Sequence, residues 1–410
     1  MRSESRDVSL GLGHIGMSTV GRLEPVAVRL RHNPRSQLKE RPGARAEPFE
    51  EEAMAEHPAA SASLADLKIP PIDPAAIEAA TRRQTTLTKP PLSLGVLEEL
   101  SIRLAGMTGR LDPPLNDAVV FTLAGDHGVA AEGVSAYPQA VTGEMVLNFL
   151  GGGAAVNVLA RELAARVVVA DLGVLVELPT DPALRSLKVR PGTDNIAQGP
   201  AMGRVEAVTA IEAGRRLVRE QLEGGLDVVL TGDMGIANTT PSACLVCHFT
   251  GLDPVQVVGR GTGVDDAGLA RKVDVVRRSL EVNREAATDP VGALAALGGF
   301  EIAGLVGVIL EAASQRRPVL LDGFISTAAA LVAVALEPGC RDYLIAGHRS
   351  QELGHAAALA GIGLRPLLDL DLRLGEGTGA LLALPIVRAA VRVLNEMATF
   401  EEAGVSNREG

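Results

Sequence analysis

The sequence contains few of the side chains that mark several large classes of protein. It has no tryptophan, two tyrosines and three cysteines in 410 residues. So few aromatic rings leave little surface on which nucleic-acid bases could stack. A formal net charge of −11 also argues against a nucleic-acid partner, because proteins bind the phosphate backbone through an excess of lysine and arginine. Three cysteines cannot build a disulfide framework, which is typical of a protein from a reducing cytoplasm.

Signals for export or membrane insertion are weak. The N-terminus lacks the basic, apolar and small-residue order of a signal peptide. The longest apolar candidate, Phe324–Leu336, is shorter than the roughly 20 residues that a spanning helix needs and contains Ser326 and Thr327. We therefore predict a cytoplasmic protein that has neither a membrane nor a nucleic acid as its partner.

The first 60 residues differ in composition from the rest of the chain. Residues 1–60 hold scattered arginines, an acidic run and an Ala/Ser stretch without apolar periodicity. This pattern predicts either a disordered extension or a gene start assigned too early, with Met54 as the true initiator. The Gly11–Gly16 segment matches G-x-G-x-x-G, but it lacks the preceding strand and the βαβ unit that a dinucleotide site requires. We interpret it as a chance match.

Residues 61–410 form one predicted unit in which apolar, β-rich runs alternate with helical stretches from residue 118 onward. The predicted strands are Ala118–Leu123, Arg166–Ala170, Asp227–Leu230, Pro318–Leu321 and Tyr343–Ala346. Apolar strands separated by helices predict a three-layer α/β/α fold with a mostly parallel, Rossmann-like sheet. The segments at about 61–100 and 384–410 predict a small helical lobe beside a core of about 101–383. Because each strand ends in a small or glycine-containing turn, we expect a ligand site at the carboxyl ends of the strands.

Two of these turns have the composition of a ligand site. In the first, glycines flank Glu376 and would let the backbone approach a ligand and adopt positive φ values. The same carboxylate could instead complement the dipole of the apolar helix that follows. In the second, Asn238, Thr239 and Thr240 could either cap a helix or bind a phosphate or ribose at its N-terminus.

The remaining polar clusters leave alternatives open. The Gly259–Gly263 loop could form a nest of N–H groups around an anion, with Lys272 supplying charge. His348, Glu352 and His355 have helical spacing that permits metal ligation, although polar substrate contacts or a hydrogen-bonded face explain them better. We predict neither a metal ion nor a cofactor.

Two short motifs have simpler explanations. Cys244-Leu245-Val246-Cys247-His248 matches the haem-attachment pattern but lies in an apolar helical stretch, which predicts buried cysteines. The Asp126-His127 pair after the first strand is either a structural turn or part of the pocket.

Taken in order along the chain, the segments from about Leu67 to Asn407 resemble the nicotinate-nucleotide–dimethylbenzimidazole phosphoribosyltransferase family. The segments are Lys89–Gly95, Ala124–Val129, Ser135–Gln139, Asn238–Thr240, Lys272–Val276, Gly298–Ile302, Leu321–Phe324 and Arg373–Gly379. The chain departs from the family pattern at Asp233, where Glu is common, and at Leu92, where Gly is usual. The first departure shortens a carboxylate by one methylene and leaves the accepted base open.

The resemblance implies an enzyme that transfers the phosphoribosyl group of nicotinate mononucleotide to dimethylbenzimidazole, giving α-ribazole phosphate and nicotinate. It also suggests a homodimer and places Glu376 as the catalytic general base. The expected substrate-binding residues are Asp233, Gly235, Asn238, Thr239, Gly261, Lys272, Ser350, Arg373, Gly375, Tyr137, Pro138 and Met145. Two alternatives remain, a paralogue that uses the same donor with adenine or a phenolic acceptor, and a non-catalytic nucleotide-binding regulator.

Overall fold

The computed structural model describes residues 66–261 and 263–407. The predicted N-terminal extension and its Gly11–Gly16 segment lie outside the described residues. The helices are α1 Pro74–Thr86, α2 Val96–Thr108, α3 Ala140–Leu150, α4 Ala155–Glu162, α5 Arg204–Glu223, α6 Thr239–Thr250, α7 Pro254–Val257, α8 Asp266–Val282, α9 Pro290–Leu297, α10 Phe300–Ser314, α11 Phe324–Leu336, α12 Leu353–Gly361, α13 Thr378–Glu396 and α14 Phe400–Ala403. Two 3₁₀ segments, Gly128–Glu132 and Pro338–Tyr343, connect them to strands.

A six-stranded parallel sheet forms the centre of the fold. Its strands are β1 Ala118–Gly125, β2 Ala165–Gly173, β3 Leu184–Ser186, β4 Val228–Met234, β5 Val319–Leu321 and β6 Leu344–Ala346. They lie in the order β3-β2-β1-β4-β5-β6, and every neighbouring pair is parallel. The predicted Rossmann-like α/β fold is therefore confirmed. After β3 the chain crosses to the other side of β1, so the order in which strands are added reverses and β4 lies beside β1. In such sheets ligands bind near the carboxyl ends of the strands at this point.

Strand composition explains which elements the sequence predicts well. Strand β1 is buried along its whole length, as expected for an apolar strand in the middle of a sheet covered on both faces. The prediction missed β3 and the small separate sheet of β7 His348–Arg349 and β8 Leu368–Asp369. These strands have two or three residues each and, unlike the equally short β5 and β6, contain charged residues in place of a continuous apolar run.

One helical layer rests on a close backbone contact between α5 and α10. A Cβ atom at Gly307 would lie 1.8 Å from the carbonyl oxygen of Ile211, and one at Gly214 would lie 1.9 Å from the carbonyl oxygen of Gly304. Only glycine fits at either position. The contact lets α10, which is buried from Phe300 through Ala313, lie between the sheet and α5.

Both ends of the described chain meet at one group of helices. The Arg83 guanidinium on α1 donates to the carbonyl oxygen of Leu394 at 2.6 Å, and Thr88 N–H donates to the carbonyl oxygen of Ala398 at 3.0 Å. The expected boundaries of the lobe, near residues 100 and 384, fall inside α2 and α13. Helix α13 thus extends from the carboxyl ends of the strands, where it begins, to α1 and α2, which hold its far end.

Leu92, which stands where the family usually has glycine, has a strained backbone conformation. Leu92 has φ 61° and is 80% exposed, so a leucine occupies a left-handed position that glycine adopts without strain. Left-handed backbone costs a non-glycine residue roughly 1–2 kcal/mol. The loop is held beneath by a buried ion pair, with Lys89 Nζ 2.8 Å from Glu98 Oε2.

Two segments are long and apolar enough, by composition alone, to cross a membrane. They are Ala140–Glu162, 39% buried over its most apolar window, and Thr378–Glu396, 56% buried over the corresponding window. The sequence prediction overlooked both. They are weak evidence for a membrane, because core helices of globular proteins have the same composition, and the first segment is divided into α3 and α4.

Candidate active site

A cavity of about 600 Å³ opens at the carboxyl ends of β4, β5 and β6. It brings together these predicted site residues: Tyr137, Met145, Asp233, Gly235, Asn238, Thr239, Gly261, Ser350, Arg373, Gly375 and Glu376. Lys272 is buried behind this wall, in contact with Thr239. Pro138 does not line the cavity but is exposed in the turn that leads into α3.

Glu376 lies at the centre of a left-handed turn. The φ angles of Gly375, Glu376 and Gly377 are 82°, 65° and 101°. Glycine adopts such angles freely, whereas Glu376 adopts them at a cost that surrounding contacts must offset. The Glu376 N–H donates to the carbonyl oxygen of Asp233 at 3.2 Å, and Thr122 Oγ1 donates to the Glu376 carbonyl oxygen at 2.9 Å.

This turn lies directly on the junction between β1 and β4. The sheet register places Thr122 beside Gly232, and a Cβ atom at Gly232 would lie 2.3 Å from the Glu376 carbonyl oxygen. A glycine is therefore required on β4 for the turn to pass over the strand. The catalytic candidate is thus held at the point where the chain order of the sheet reverses.

The Glu376 carboxyl group is almost enclosed, with the residue 4% exposed. Its Oε2 accepts a hydrogen bond of 3.3 Å from the N–H of Val156 in the first turn of α4. Burial raises the pKa of Glu376 above its usual range, the Val156 N–H lowers it, and the nearby charge of Asp322 raises it further. A carboxylate with a raised pKa is a better proton acceptor near neutral pH.

Asp233 is a second buried carboxyl group in the same wall. Its Oδ2 accepts a hydrogen bond of 2.9 Å from Asn238 Nδ2, and its Oδ1 has no partner among the described residues. Burial, and then the charge of Asp322, raise the pKa of Asp233 well above its usual range. Asn238 occupies the position before α6, but its side chain bonds to Asp233 and makes no capping hydrogen bond.

A cationic corner lies on the other side of the α6 N-terminus. Lys272 Nζ donates to Thr239 Oγ1 at 2.6 Å, and burial lowers the Lys272 pKa to about 8. A Cβ atom at Gly261 would lie 2.9 Å from Lys272 Nζ, so the glycine lets the cavity surface approach the ammonium group. The Arg373 guanidinium donates to the Gly261 carbonyl oxygen at 3.4 Å.

His355 connects two parts of the cavity wall. Its Nδ1 accepts from the N–H of Ser350 at 2.8 Å, and its Nε2 lies 2.9 Å from Thr327 Oγ1, which donates to the carbonyl oxygen of Gly323. These contacts require a neutral ring protonated at Nε2. Burial lowers the pKa of His355 to about 3, which is consistent with that form.

The three residues with helical spacing are not on one helix. His348 lies on β7, Glu352 precedes α12, and His355 lies within α12. Over residues 66–261 and 263–407, no group of three or more His, Cys, Asp or Glu side chains is arranged to hold a metal ion. Ser350, His348 and Glu352 all line the cavity, as polar groups of its wall.

The Asp126-His127 pair lies beneath the cavity floor. His127 Nε2 is 2.6 Å from Glu301 Oε1, and a Cβ atom at Gly235 would lie 3.2 Å from each of these two atoms. Asp126 accepts from Thr142 Oγ1 at 2.7 Å and does not reach the cavity. The pair therefore has a structural place under Gly235.

The cysteines of the haem-like motif are part of the core. Cys244 and Cys247 are buried and free, and burial raises the pKa of the Cys247 thiol to about 12. Both behave as small apolar side chains in α6.

Comparison with known proteins assigns most of the chain to a family. A family model described as a phosphoribosyltransferase matches residues 69–405. The chain belongs to this phosphoribosyltransferase family. It is an enzyme that transfers a phosphoribosyl group, and the resemblance predicted from its motifs is confirmed.

Individual relatives of this phosphoribosyltransferase match over most of their length. Proteins named nicotinate-nucleotide–dimethylbenzimidazole phosphoribosyltransferase include one from Chloroflexus aggregans, 55% identical over 83% of this chain and 97% of that protein. Another, from Desulforudis audaxviator, is 53% identical over 83% of this chain and 96% of that protein. The crystal structure of CobT from Thermus thermophilus is 52% identical, with a TM-score of 0.79 over 82% of this chain and all of that one.

Several cavity residues of the phosphoribosyltransferase were missed by sequence reasoning. They are mostly apolar: Val141, Met234, Ile236, Phe324, Ile325, Leu372 and Leu374. Apolar residues that line a cavity have the same composition as those of a core, so no local signal distinguishes them. Phe324 and Ile325 could have been found from their position directly after the Asp322-Gly323 turn.

The buried His355 predicts a pH-dependent contribution to stability. Its pKa is about 3 in the folded protein and about 6.5 when unfolded. Because the unfolded chain binds the extra proton, stability is lost as pH falls from 6.5 towards 3. Between pH 7 and pH 5 the wild type should lose about 2 kcal/mol more than His355→Gln, measured by urea unfolding.

The exposed His248 on α6 provides a matched control. His248→Gln should change the pH dependence less than His355→Gln, because His248 is more exposed and partial burial lowers its pKa less than it lowers that of His355. Equal losses of stability in the wild type and His355→Gln would show that His355 is not held neutral.

Proposed function

We propose that this phosphoribosyltransferase transfers the phosphoribosyl group of nicotinate mononucleotide to dimethylbenzimidazole, with Glu376 as the general base. The observation that carries the proposal is the buried Glu376 carboxyl group in the wall of a cavity of about 600 Å³. A cavity of this size is typical of small-molecule sites. The names of relatives at 53–55% identity support the choice of substrates.

The proposed chemistry needs a base more than it needs an acid. One benzimidazole nitrogen attacks the anomeric carbon of the ribose while the bond from that carbon to the nicotinate nitrogen breaks. Nicotinate leaves as a neutral ring nitrogen because it was a pyridinium in the donor, and the configuration changes from β to α. The second benzimidazole nitrogen loses its proton to Glu376, and such assistance is typically worth about 10²–10⁴ in rate.

The cationic corner is the proposed site of the donor phosphate. Lys272 provides a positive charge directly behind Thr239, to which it donates a hydrogen bond. Arg373 and the backbone around Gly261 lie beside this corner of the cavity. Ser350, Gly235 and Asn238 are the remaining polar candidates for the phosphate and ribose. This arrangement supports binding of an anion by an acidic protein, because only local donors and one buried cation are needed.

The acceptor base is proposed to lie against the apolar part of the wall. Tyr137, Val141 and Met145 come from the segment that leads into α3 and from α3 itself, and Phe324 begins α11. These side chains offer apolar surface without charge, as a benzimidazole ring requires. Holding both reactants in line contributes at least as much as the base.

One observation favours a different acceptor. Asp233 stands where Glu is common in the family, and its Oδ1 has no partner among the described residues. A polar group free in this wall could bind an acceptor such as adenine or a phenol. Release of nicotinate with one of these acceptors, and not with dimethylbenzimidazole, would establish this alternative.

We also propose that the enzyme is a cytoplasmic homodimer, as the family resemblance suggests. Tyr137 and Leu374 are exposed at the cavity rim, which is consistent with a surface that a partner covers. Light scattering of the purified enzyme should give twice the mass of one chain. A monomer at micromolar concentration would refute the dimer without affecting the reaction.

Replacement of the base should remove turnover but not binding. Glu376→Gln keeps the shape of the side chain but cannot take a proton, so kcat should fall by about 10²–10⁴ with little change in KM. Chromatographic detection of nicotinate and α-ribazole phosphate measures the reaction. The matched control is Glu396→Gln, an exposed glutamate at the other end of α13, which should retain wild-type activity. Full activity in Glu376→Gln would mean that another group is the base.

Lys272 should make donor binding dependent on pH. The Lys272 pKa is about 8, and the donor phosphate is already doubly charged above pH 7, so loss of the lysine proton weakens binding as pH rises. The wild-type KM for nicotinate mononucleotide should rise from pH 7 to pH 9, by at most about tenfold per unit above pH 8. Lys272→Met should have a high KM at pH 7 that does not rise further.

Lys188→Met is the matched control for that measurement, since Lys188 pairs with Asp171 away from the cavity. Its KM profile should follow that of the wild type. A pH-dependent rise that persists in Lys272→Met would assign the effect to another group.

A further inference from the structure

A buried aspartate, Asp322, lies directly after β5 and does not line the cavity. Its carboxylate accepts three backbone hydrogen bonds from the start of α13. Oδ2 accepts from the N–H of Gly377 at 3.1 Å, and Oδ1 accepts from the N–H of Gly379 at 2.7 Å and of Ala380 at 3.2 Å. A negative charge at a helix N-terminus, bonded to its free N–H groups, is a favourable arrangement.

Asp322 is itself fixed to the sheet. Its N–H donates to Thr231 Oγ1 on β4 at 3.1 Å, and its Oδ1 lies 3.6 Å from His348 Nε2. These contacts come from β4 of the six-stranded sheet and from β7 of the small separate sheet. Asp322 therefore connects the strands to the first turn of α13 and fixes where that turn lies.

The turn that Asp322 holds is the one that carries Glu376. On one side Thr122 Oγ1 bonds the Glu376 carbonyl oxygen, and on the other Asp322 bonds the N–H of Gly377, the next residue. The strained φ of 65° at Glu376 needs such contacts on both sides to persist. Without Asp322, the three N–H groups at the start of α13 would lose their acceptor.

Asp322 also acts on Glu376 through its charge. The groups that face Glu376 are Asp322, Asp233 on β4 and the Val156 N–H on α4. Asp322 contributes to the raised pKa of both Glu376 and Asp233. The surrounding titratable groups, His348 beside Asp322 and the Glu301–His127 pair beneath Gly235, lie farther along the same edge.

We propose that Asp322 is a positioning residue for catalysis, which holds the turn that carries Glu376 through three hydrogen bonds from backbone N–H groups and places a negative charge near Glu376. The proposal rests on the proposed role of Glu376 as the base. Asp322 touches neither substrate in this scheme and acts only through Glu376.

Asp322→Asn tests both parts of the proposal. An amide offers one acceptor oxygen and no charge, so the turn loses bonds and Glu376 loses its negative neighbour. The expected result is a fall in kcat of about 10–100-fold with KM for both substrates nearly unchanged, since small misplacement of a reacting group is costly. The acid limb of the pH profile of kcat should also move to lower pH, because removal of a like charge lowers the pKa of Glu376.

Thr122→Val is the matched control, because it removes a bond to the same turn without changing charge. Its kcat should fall, but the acid limb should stay at the wild-type pH. A fall in kcat of Asp322→Asn with an unmoved acid limb would overturn the electrostatic part of the proposal.

Glu376→Gln, measured alongside, separates this proposal from the proposed function. Full turnover in Glu376→Gln would show that Glu376 is not the base, and the proposed role of Asp322 would then fail together with the proposed function. An inactive Glu376→Gln together with wild-type kcat and pH profile in Asp322→Asn would refute the role of Asp322 alone. If thermal denaturation shows that Asp322→Asn is unfolded, Asp322→Glu is measured in its place. Glutamate keeps the negative charge but moves the carboxylate away from the three N–H groups. Wild-type kcat in Asp322→Glu would overturn the proposal that Asp322 positions the turn.

Discussion

The structure depends on one backbone contact, in which the turn Gly375–Gly377 lies against Gly232 at the junction of β1 and β4. A side chain at position 232 would meet the Glu376 carbonyl oxygen at 2.3 Å, so strand and turn fit only as a pair. The contact fixes where α13 begins, and α1 and α2 hold its other end. The strained Glu376 in the cavity wall is supported by hydrogen bonds from β1 and β4 of the sheet.

Charge is distributed unevenly around this contact. Three carboxyl groups, Glu376, Asp233 and Asp322, gather at the ends of β4 and β5, while the buried cation Lys272 lies behind the wall formed by Thr239. The charge of Asp322 raises the pKa of both Glu376 and Asp233, which favours the proposed proton transfer at that side of the cavity. The separate cation favours an anion at the other. In the proposed reaction, proton transfer and phosphate binding are thus divided between the strand ends and the N-terminus of α6.

The parts that could be predicted from the sequence are those with local signals. Strand β1 was predicted from its continuous apolar run, and the left-handed turn at Glu376 from the glycines on both sides, whereas those glycines left open whether the carboxylate serves a ligand or a helix dipole. Asp322 was evident only as part of a strand-end turn, because its partners on α13 lie 55 to 58 positions away in the chain. His355 was likewise judged from its spacing, whereas its role depends on Ser350 and Thr327, which the fold brings together. Contacts between distant segments leave no periodic pattern.

The two departures from the family pattern differ in consequence for a physical reason. Leu92 is exposed in a loop and its left-handed backbone affects only local strain, which neighbouring contacts such as the Lys89–Glu98 pair can offset. Asp233 is buried in the cavity wall, where one methylene changes which atoms its oxygens reach, and one of those oxygens has no partner among the described residues. An unsatisfied buried oxygen is costly unless a bound molecule supplies a donor. We therefore expect the proposed choice of acceptor to be more sensitive to position 233 than to position 92.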